Sequence, residues 1–248
     1  SGNLHFEGVM IFFLLAALFM LKKGKIFATA ALFSLSVATK LIPLIFLLFL
    51  PRRLGFMQSF RFFSVLGIML ALLFLPIFSA VFLKNFGDSL DLYFRKFEFN
   101  ASVYYLLRWL GFQWKGYNLI AVIGPFLAFC TFGLIAGRAF FEKIKSDALN
   151  NLPLSMLFAA TAFLFFTTTV HPWYVTLPLT LCLFTNYRFP VLWSGLAILS
   201  YAAYSQTPFR ENLWLTAFEY SAVFGFLIWE IMREHRAAVQ TSLGDIPK

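Results

Sequence analysis

Charge is what this chain of 248 residues has least of: Asp, Glu, Lys and Arg make up 12% of it, against 60% hydrophobic residues and a mean hydropathy of +0.79. A soluble domain carries about 25% charged residues, so an ordinary water-soluble fold is excluded. Acidic residues are the scarcer sign, 11 against 20 Lys and Arg, for a net charge of +9. A nucleic-acid ligand would need basic residues massed in one patch; here they lie in short clusters between apolar runs. That is the pattern of loops facing anionic lipid head groups, so membrane lipids, and no nucleic acid, are the expected partners.

Other absences narrow the chemistry. The two cysteines, Cys130 and Cys182, both sit inside apolar runs and read as packing thiols rather than disulfide or metal ligands. No His/Cys cluster has metal-ligand spacing, no glycine-rich loop could cradle a phosphate, and no nucleophile elbow occurs, so soluble-type nucleotide chemistry is unsupported and no cofactor or metal is expected. No internal repeat is visible, which weighs against a transporter built from symmetric halves. The chain opens Ser-Gly-Asn with no signal-peptide pattern, and the expectation is that an upstream part of a longer protein is missing.

What remains is apolar length. Runs at 6–21, 26–50, 62–83, 118–137, 152–170, 175–185, 190–206 and 213–232 approach or exceed the roughly 20 residues that cross a bilayer core. The fold class expected is an all-α polytopic membrane protein of about seven transmembrane helices, forming one multispanning domain over 1–232 and a disordered cytoplasmic polar tail over 233–248. Topology turns on 26–50, which is interrupted by Lys40 and Pro43. If it crosses once, the loop basic residues split almost evenly between the two sides. If it is re-entrant, they gather on the Lys22 side. The positive-inside rule therefore favours a broken, re-entrant helix pair with Lys40 near its tip, where it must face protein or water and needs an anionic partner. With that topology, residues 1–5, 84–117, His171 and 207–212 converge on the extracytoplasmic side.

The candidate site residues lie in those stretches. Thr-Thr-Thr-Val-His-Pro-Trp-Tyr at 167–174 ends one apolar run and starts the next. Proline pushes the residue before it out of helical dihedrals, so His171 is expected at a break between helices, beside two amphipathic aromatics, Trp173 and Tyr174. Asn3, His5 and Glu7 head the first run, Glu7 where the helix dipole favours a carboxylate. Residues 88–101 read as an interfacial helix with Asp88, Asp91, Arg95 and Glu98 on one face and Leu90, Phe94, Phe97 and Ala101 opposite. On that helix Arg95 is either paired with Asp91 at i,i+4 or free for a phosphate.

These blocks resemble a known superfamily. Gly2-Asn3-Leu4-His5-Phe6-Glu7-Gly8, the helix-breaking Ala38-Thr39-Lys40-Leu41-Ile42-Pro43, the amphipathic 93–102 and Val170-His171-Pro172-Trp173-Tyr174 are similar, in order, to motifs of the GT-C fold polyprenol-phosphate-sugar-dependent glycosyltransferases, bacterial mannosyltransferase-like members included. The resemblance implies inverting transfer of a hexose, mannose by analogy, from a polyprenyl-phosphate sugar donor to a glycan or glycolipid acceptor. It places the enzyme in a bacterial inner membrane with its site on the extracytoplasmic face. It implies His171, His5 and Glu7 as catalytic residues, with the main general base an aspartate upstream of this chain. Lys40, Arg95, Asn3, Asn100, Trp173 and Tyr174 would bind substrate. The competing readings are a polytopic transporter or lipid flippase, and a structural subunit of an envelope-assembly complex.

Overall fold

Hydrogen bonding decides what an apolar sequence can do: a backbone shielded from water must satisfy its own polar groups, and a helix does so locally. The computed structural model describes residues 5–144, 148–205 and 209–244, and among these the fold is all-helical, with one isolated β-bridge between Phe99 and Thr169. The α-helices are α1 (Glu7–Lys22), α2 (Ile26–Thr39), α3 (Pro51–Phe74), α4 (Ala80–Arg95), α5 (Val103–Lys115), α6 (Ile120–Phe141), α7 (Leu152–Phe166), α8 (Thr176–Cys182), α9 (Phe189–Leu196) and α10 (Leu213–Gly244). Tighter 3₁₀ segments occupy Ile42–Phe49, Leu75–Ile77, Pro172–Val175 and Ala197–Ser205.

The core gathers around α1, α2 and α7, where Leu14, Phe33, Phe46, Met156 and Phe165 are buried together with Trp193 of α9. Helices α1 and α2 form an antiparallel hairpin whose turn uses Gly24 at φ +70°, and Ser36 Oγ donates to Met10 O across it at 2.8 Å. At Lys40 the backbone becomes extended (φ −159°, ψ 138°) and α2 ends. The chain then reverses. Lys40 sits at the Glu7 end of α1, while Leu50, ten residues on, lines a space with Leu21 and Leu152 at the other end.

Among the described residues, three helices are long and apolar enough to cross a bilayer: Pro51–Ile77, Ile120–Phe141 and Leu213–Ala237. At 22 residues even the shortest reaches about 33 Å, against about 30 Å of hydrocarbon. Their outward faces carry exposed phenylalanines such as Phe126, Phe129 and Phe132. This is a helical membrane protein.

Several expectations change in detail. Where about seven spans were expected, α1, α2 and α7 are only 16, 14 and 15 residues long, because polar or proline-containing breaks interrupt their runs. Arg52 and Arg53, expected in a loop, lie in the first turn of α3, which begins at Pro51 and is interrupted at Gly55 (φ 73°, ψ 172°), a conformation that strains any side-chain-bearing residue. The interfacial helix starts at Ala80, capped by Ser79 Oγ accepting from Phe82 N at 3.1 Å, and stops at Arg95. Glu98 therefore leaves its polar face, and Phe97 and Ala101 its apolar one. The tail expected to be disordered continues α10 to Gly244; its last four residues lie outside the described ones.

Charge separates the two ends of the bundle. At the Lys22 end, Arg53 pairs with Glu142 at 2.6 Å, Arg138 lies over Phe158, Phe158 meets Tyr187, and Arg233 donates to Asn186 O. The same end buries Glu230, which accepts from the backbone N–H groups of Arg188 and Phe189 at 2.7–2.9 Å and so caps α9 from the side of α10. Removing that carboxylate orphans two N–H donors. Glu230→Ala is expected to cost about 2–3 kcal/mol, read as a lowered unfolding midpoint in detergent, whereas the more exposed Glu234→Ala changes it little.

Candidate functional site

β-Branched residues resist helix at χ1 and favour extended backbone, and Thr167, Thr168 and Thr169 end α7 accordingly. Each hydroxyl then finds a partner on the segment that closes α4. Thr167 Oγ1 donates to Tyr93 OH (3.1 Å), Thr168 Oγ1 to Tyr93 O (3.0 Å) and Thr169 Oγ1 to Phe97 O (3.2 Å). The backbones join too, Phe99 N to Thr168 O at 3.1 Å and Val170 N to Phe99 O at 2.8 Å. This seam delivers His171 in the extended conformation that Pro172 demands (φ −79°, ψ 148°).

Around His171 the rings close in. Its imidazole stacks on Trp173 with centroids 4.4 Å apart and planes 7° from parallel, and lies 4.9 Å from Phe99. The His5 ring stacks on the same Trp173 at 3.8 Å. Lys40 Nζ sits 4.0 Å from the centre of the Tyr174 ring and is paired with Glu7, the anionic partner that its position required. Glu7 is buried, while the Lys40 side chain keeps about a quarter of its surface open. The break at Lys40, the head of α1 and the break at His171 thus meet in one cluster.

Electrostatics make that cluster receptive. Burial, helped by Lys40 and His5 nearby and opposed by Glu7, pushes the His171 imidazole down to about 4, so the ring is neutral at physiological pH. Its Nδ1 is buried with no hydrogen-bond partner among the described residues, a state that a ligand hydroxyl or phosphate oxygen would relieve. Burial raises the Tyr93 phenol to about 12 and the Tyr174 phenol higher, so both stay protonated.

Five of the residues singled out in the sequence, His5, Glu7, Lys40, Trp173 and Tyr174, therefore converge with His171. Arg95 does not join them: it pairs with Asp91 at 3.1 Å, with Lys96 on the same carboxylate at 2.5 Å, and is half exposed. Asn100 belongs to a separate, largely buried knot. At φ +45° its N–H donates to Glu211 Oε2 (2.7 Å), its Nδ2 to the Glu219 carboxylate (3.2 and 3.3 Å), and its carbonyl accepts from Tyr220 OH (2.8 Å). Trp193 Nε1 adds a second donor to Glu219 at 3.0 Å. Asn3 lies outside the described residues.

Tyr93, Phe97 and Phe99 were not singled out, although the Thr-Thr-Thr run beside a His-Pro step signalled an extended strand in want of a partner. Glu219 was also passed over, and an acid within an apolar run is signal enough. Among the described residues no group of three or more His, Cys, Asp or Glu side chains could hold a metal ion. In comparisons with known protein families, curated proteins and solved structures, no match to the chain was found.

The lowered His171 value carries a pH signature. Between about 4 and the ordinary 6.5 the unfolded chain binds a proton that the folded chain refuses, so stability falls as pH drops through that window and is regained above it. A His171→Asn variant is expected to show a shallower acid loss of thermal midpoint than the parent. Parallel curves would mean that His171 is charged in the folded protein.

Proposed function

We infer that this chain carries the phosphate- and sugar-binding face of a membrane glycosyltransferase that uses a polyprenyl-phosphate sugar as donor. The observation that carries the reading is the meeting of Lys40 with Trp173, Tyr174 and the unpartnered His171 at two coincident helix breaks. A cation within an apolar bundle suits a lipid phosphate, aromatic faces suit sugar rings, and breaks of this kind are tolerated where they line a cavity. The order of motifs similar to the GT-C superfamily supports the same reading.

In the proposed chemistry the acceptor hydroxyl attacks the anomeric carbon from the face opposite the phosphate. The carbon–oxygen bond to polyprenyl phosphate breaks, and the leaving phosphate takes the electron pair. Lys40 faces the charge that develops there, which is where a preorganised cation lowers the barrier most. Neutral His171 hydrogen-bonds the sugar or phosphate through Nδ1, His5 shares the Trp173 face, and Glu7 holds Lys40 in place until the donor phosphate displaces it. The family resemblance assigns the acceptor's proton to an aspartate of the first extracytoplasmic loop. The excess of cations at the Lys22 end fits a cytoplasmic placement of that end and an extracytoplasmic site. On the same reading, the reversal at Lys40 is the tip of a re-entrant pair.

The test uses the full-length gene product reconstituted with polyprenyl-phosphate mannose and a membrane glycolipid extract. His171→Ala and Trp173→Ala are each expected to lower transfer about 100-fold. Removing Lys40 alone would strand a buried carboxylate, so the informative change is Glu7→Gln with Lys40→Met, which discharges the pair and keeps its volume. This double variant is expected to fold and to lose transfer, while Arg95→Ala stays within about twofold of the parent because its guanidinium is exposed and paired. Full transfer by the double variant would remove the cluster from the reaction. Absence of transfer by the parent with any lipid-phosphate sugar would favour the transport reading.

A further inference from the structure

Arg52 and Arg53 stand side by side in the first turn of α3, yet their surroundings differ. Arg53 is spent: Nε donates to Ala148 O (3.1 Å), Nη1 to Phe49 O (2.9 Å) and Nη2 to Glu142 and Ser155 (2.6 and 2.9 Å), and its side chain is 2% exposed. Arg52 uses Nη1 alone, on the carbonyls of Ala139, Phe140 and Glu142 that end α6. A guanidinium has five N–H donors. The Nε and Nη2 edge of Arg52, the pair whose geometry matches two oxygens of a phosphate, has no partner among the described residues, and the residue is exposed.

That free edge belongs to a cleft. A shallow space of about 490 Å³ lies between the Ile42–Phe49 segment and the last turns of α6, walled by Leu48, Ala136, Gly137, Phe140 and Phe141, with Arg52 as its charged member. Phe140 and Phe141 are 70% and 80% exposed on a helix long and apolar enough to span a bilayer, so the cleft opens to the side where hydrocarbon would lie. Glu142, whose backbone carbonyl accepts from Arg52, has its carboxylate occupied by Arg53 and Ser155. Among the described residues, Arg52, Arg53 and Arg138 thus gather around this one carboxylate, and the excess of positive charge asks for an anion.

We propose that this cleft is a binding site for one anionic glycerophospholipid of the bilayer, its phosphate on the Nε/Nη2 edge of Arg52 and an acyl chain along Leu48, Ala136 and Gly137. The site lies at the opposite end of the bundle from the Lys40–His171 cluster and stands independently of any glycosyl transfer. The complementarity is twofold, a bidentate cation for the phosphate and an apolar trough of small residues for the chain, which fits basic pockets between spans at the positive end of a membrane protein.

Gly137 supplies a clean test, because a Cβ built there meets no atom within 4 Å. Gly137→Leu therefore fills the trough without disturbing the helix, whereas Arg52→Gln removes the cation. The experiment is native mass spectrometry of the detergent-purified full chain titrated with palmitoyl-oleoyl phosphatidylglycerol, beside phosphatidylcholine and beside glycerol phosphate, which has the head group and no chains. The parent is expected to retain one phosphatidylglycerol in preference to the other two, and both variants, with thermal midpoints checked against the parent, are expected to bind it about tenfold more weakly. Equal retention of phosphatidylcholine or glycerol phosphate overturns the proposal. So does parent-like binding by Gly137→Leu, since charge would then suffice without the cleft.

Discussion

A chain that leaves helical geometry inside an apolar bundle strands N–H and C=O groups that water cannot reach, and each must find a partner within the protein. The breaks in this structure are organised by that constraint. Residues 167–170 leave α7 and recover their bonds from the segment after α4. The start of α9 recovers its own from Glu230. Lys40, which ends α2, is met by Glu7 across the head of α1. Because partners for one break come from distant parts of the chain, satisfying the backbone also draws those parts together, and the aromatic and cationic side chains that they carry arrive as a group.

The solution is not uniform along the molecule. The Asn100–Glu219–Trp193–Tyr220 knot uses a buried carboxylate and a left-handed asparagine to hold α10 against the turn between α4 and α5, and every contact there is inward. The Lys40–His171 cluster is built from similar groups, and each leaves one buried polar atom without a hydrogen-bond partner among the described residues, Asn100 Oδ1 in the first and His171 Nδ1 in the second. They differ in access: Asn100, Glu219 and Trp193 are sealed inside the protein, whereas about a quarter of the Lys40 side chain is open to a guest.

The helical membrane class was legible from charge and hydropathy alone, and so were the helix break at Lys40 and the extended His171, because proline and lysine act locally on backbone and solvation. The lengths of the helices were not. A continuous apolar run such as 152–170 does not announce that its three threonines will hydrogen-bond to Tyr93 and Phe97 instead of to their own helix. Likewise the face drawn through Asp91, Arg95 and Glu98 assumed one helix through 101, and tertiary pairing of Phe99 with Thr169 ended that helix six residues sooner. The resemblance of 93–102 offers Asn100 as a site residue; its partners Glu211 and Glu219 come from more than a hundred positions away, beyond the reach of any local pattern.

The pairing of Glu7 with Lys40 has a consequence for whatever anion enters there. The Glu7–Lys40 pair at rest is already neutral: the ammonium has a resident counter-ion, and His171 beside it contributes no charge. An incoming anion therefore trades places with a carboxylate, as on an exchange resin, and does not fall into an open positive well. Such exchange favours a guest that offers the ammonium more than Glu7 does, by a second negative charge or by aromatic contacts made alongside. It also leaves a displaced carboxylate beside the guest, a basic group released only while the pocket is filled.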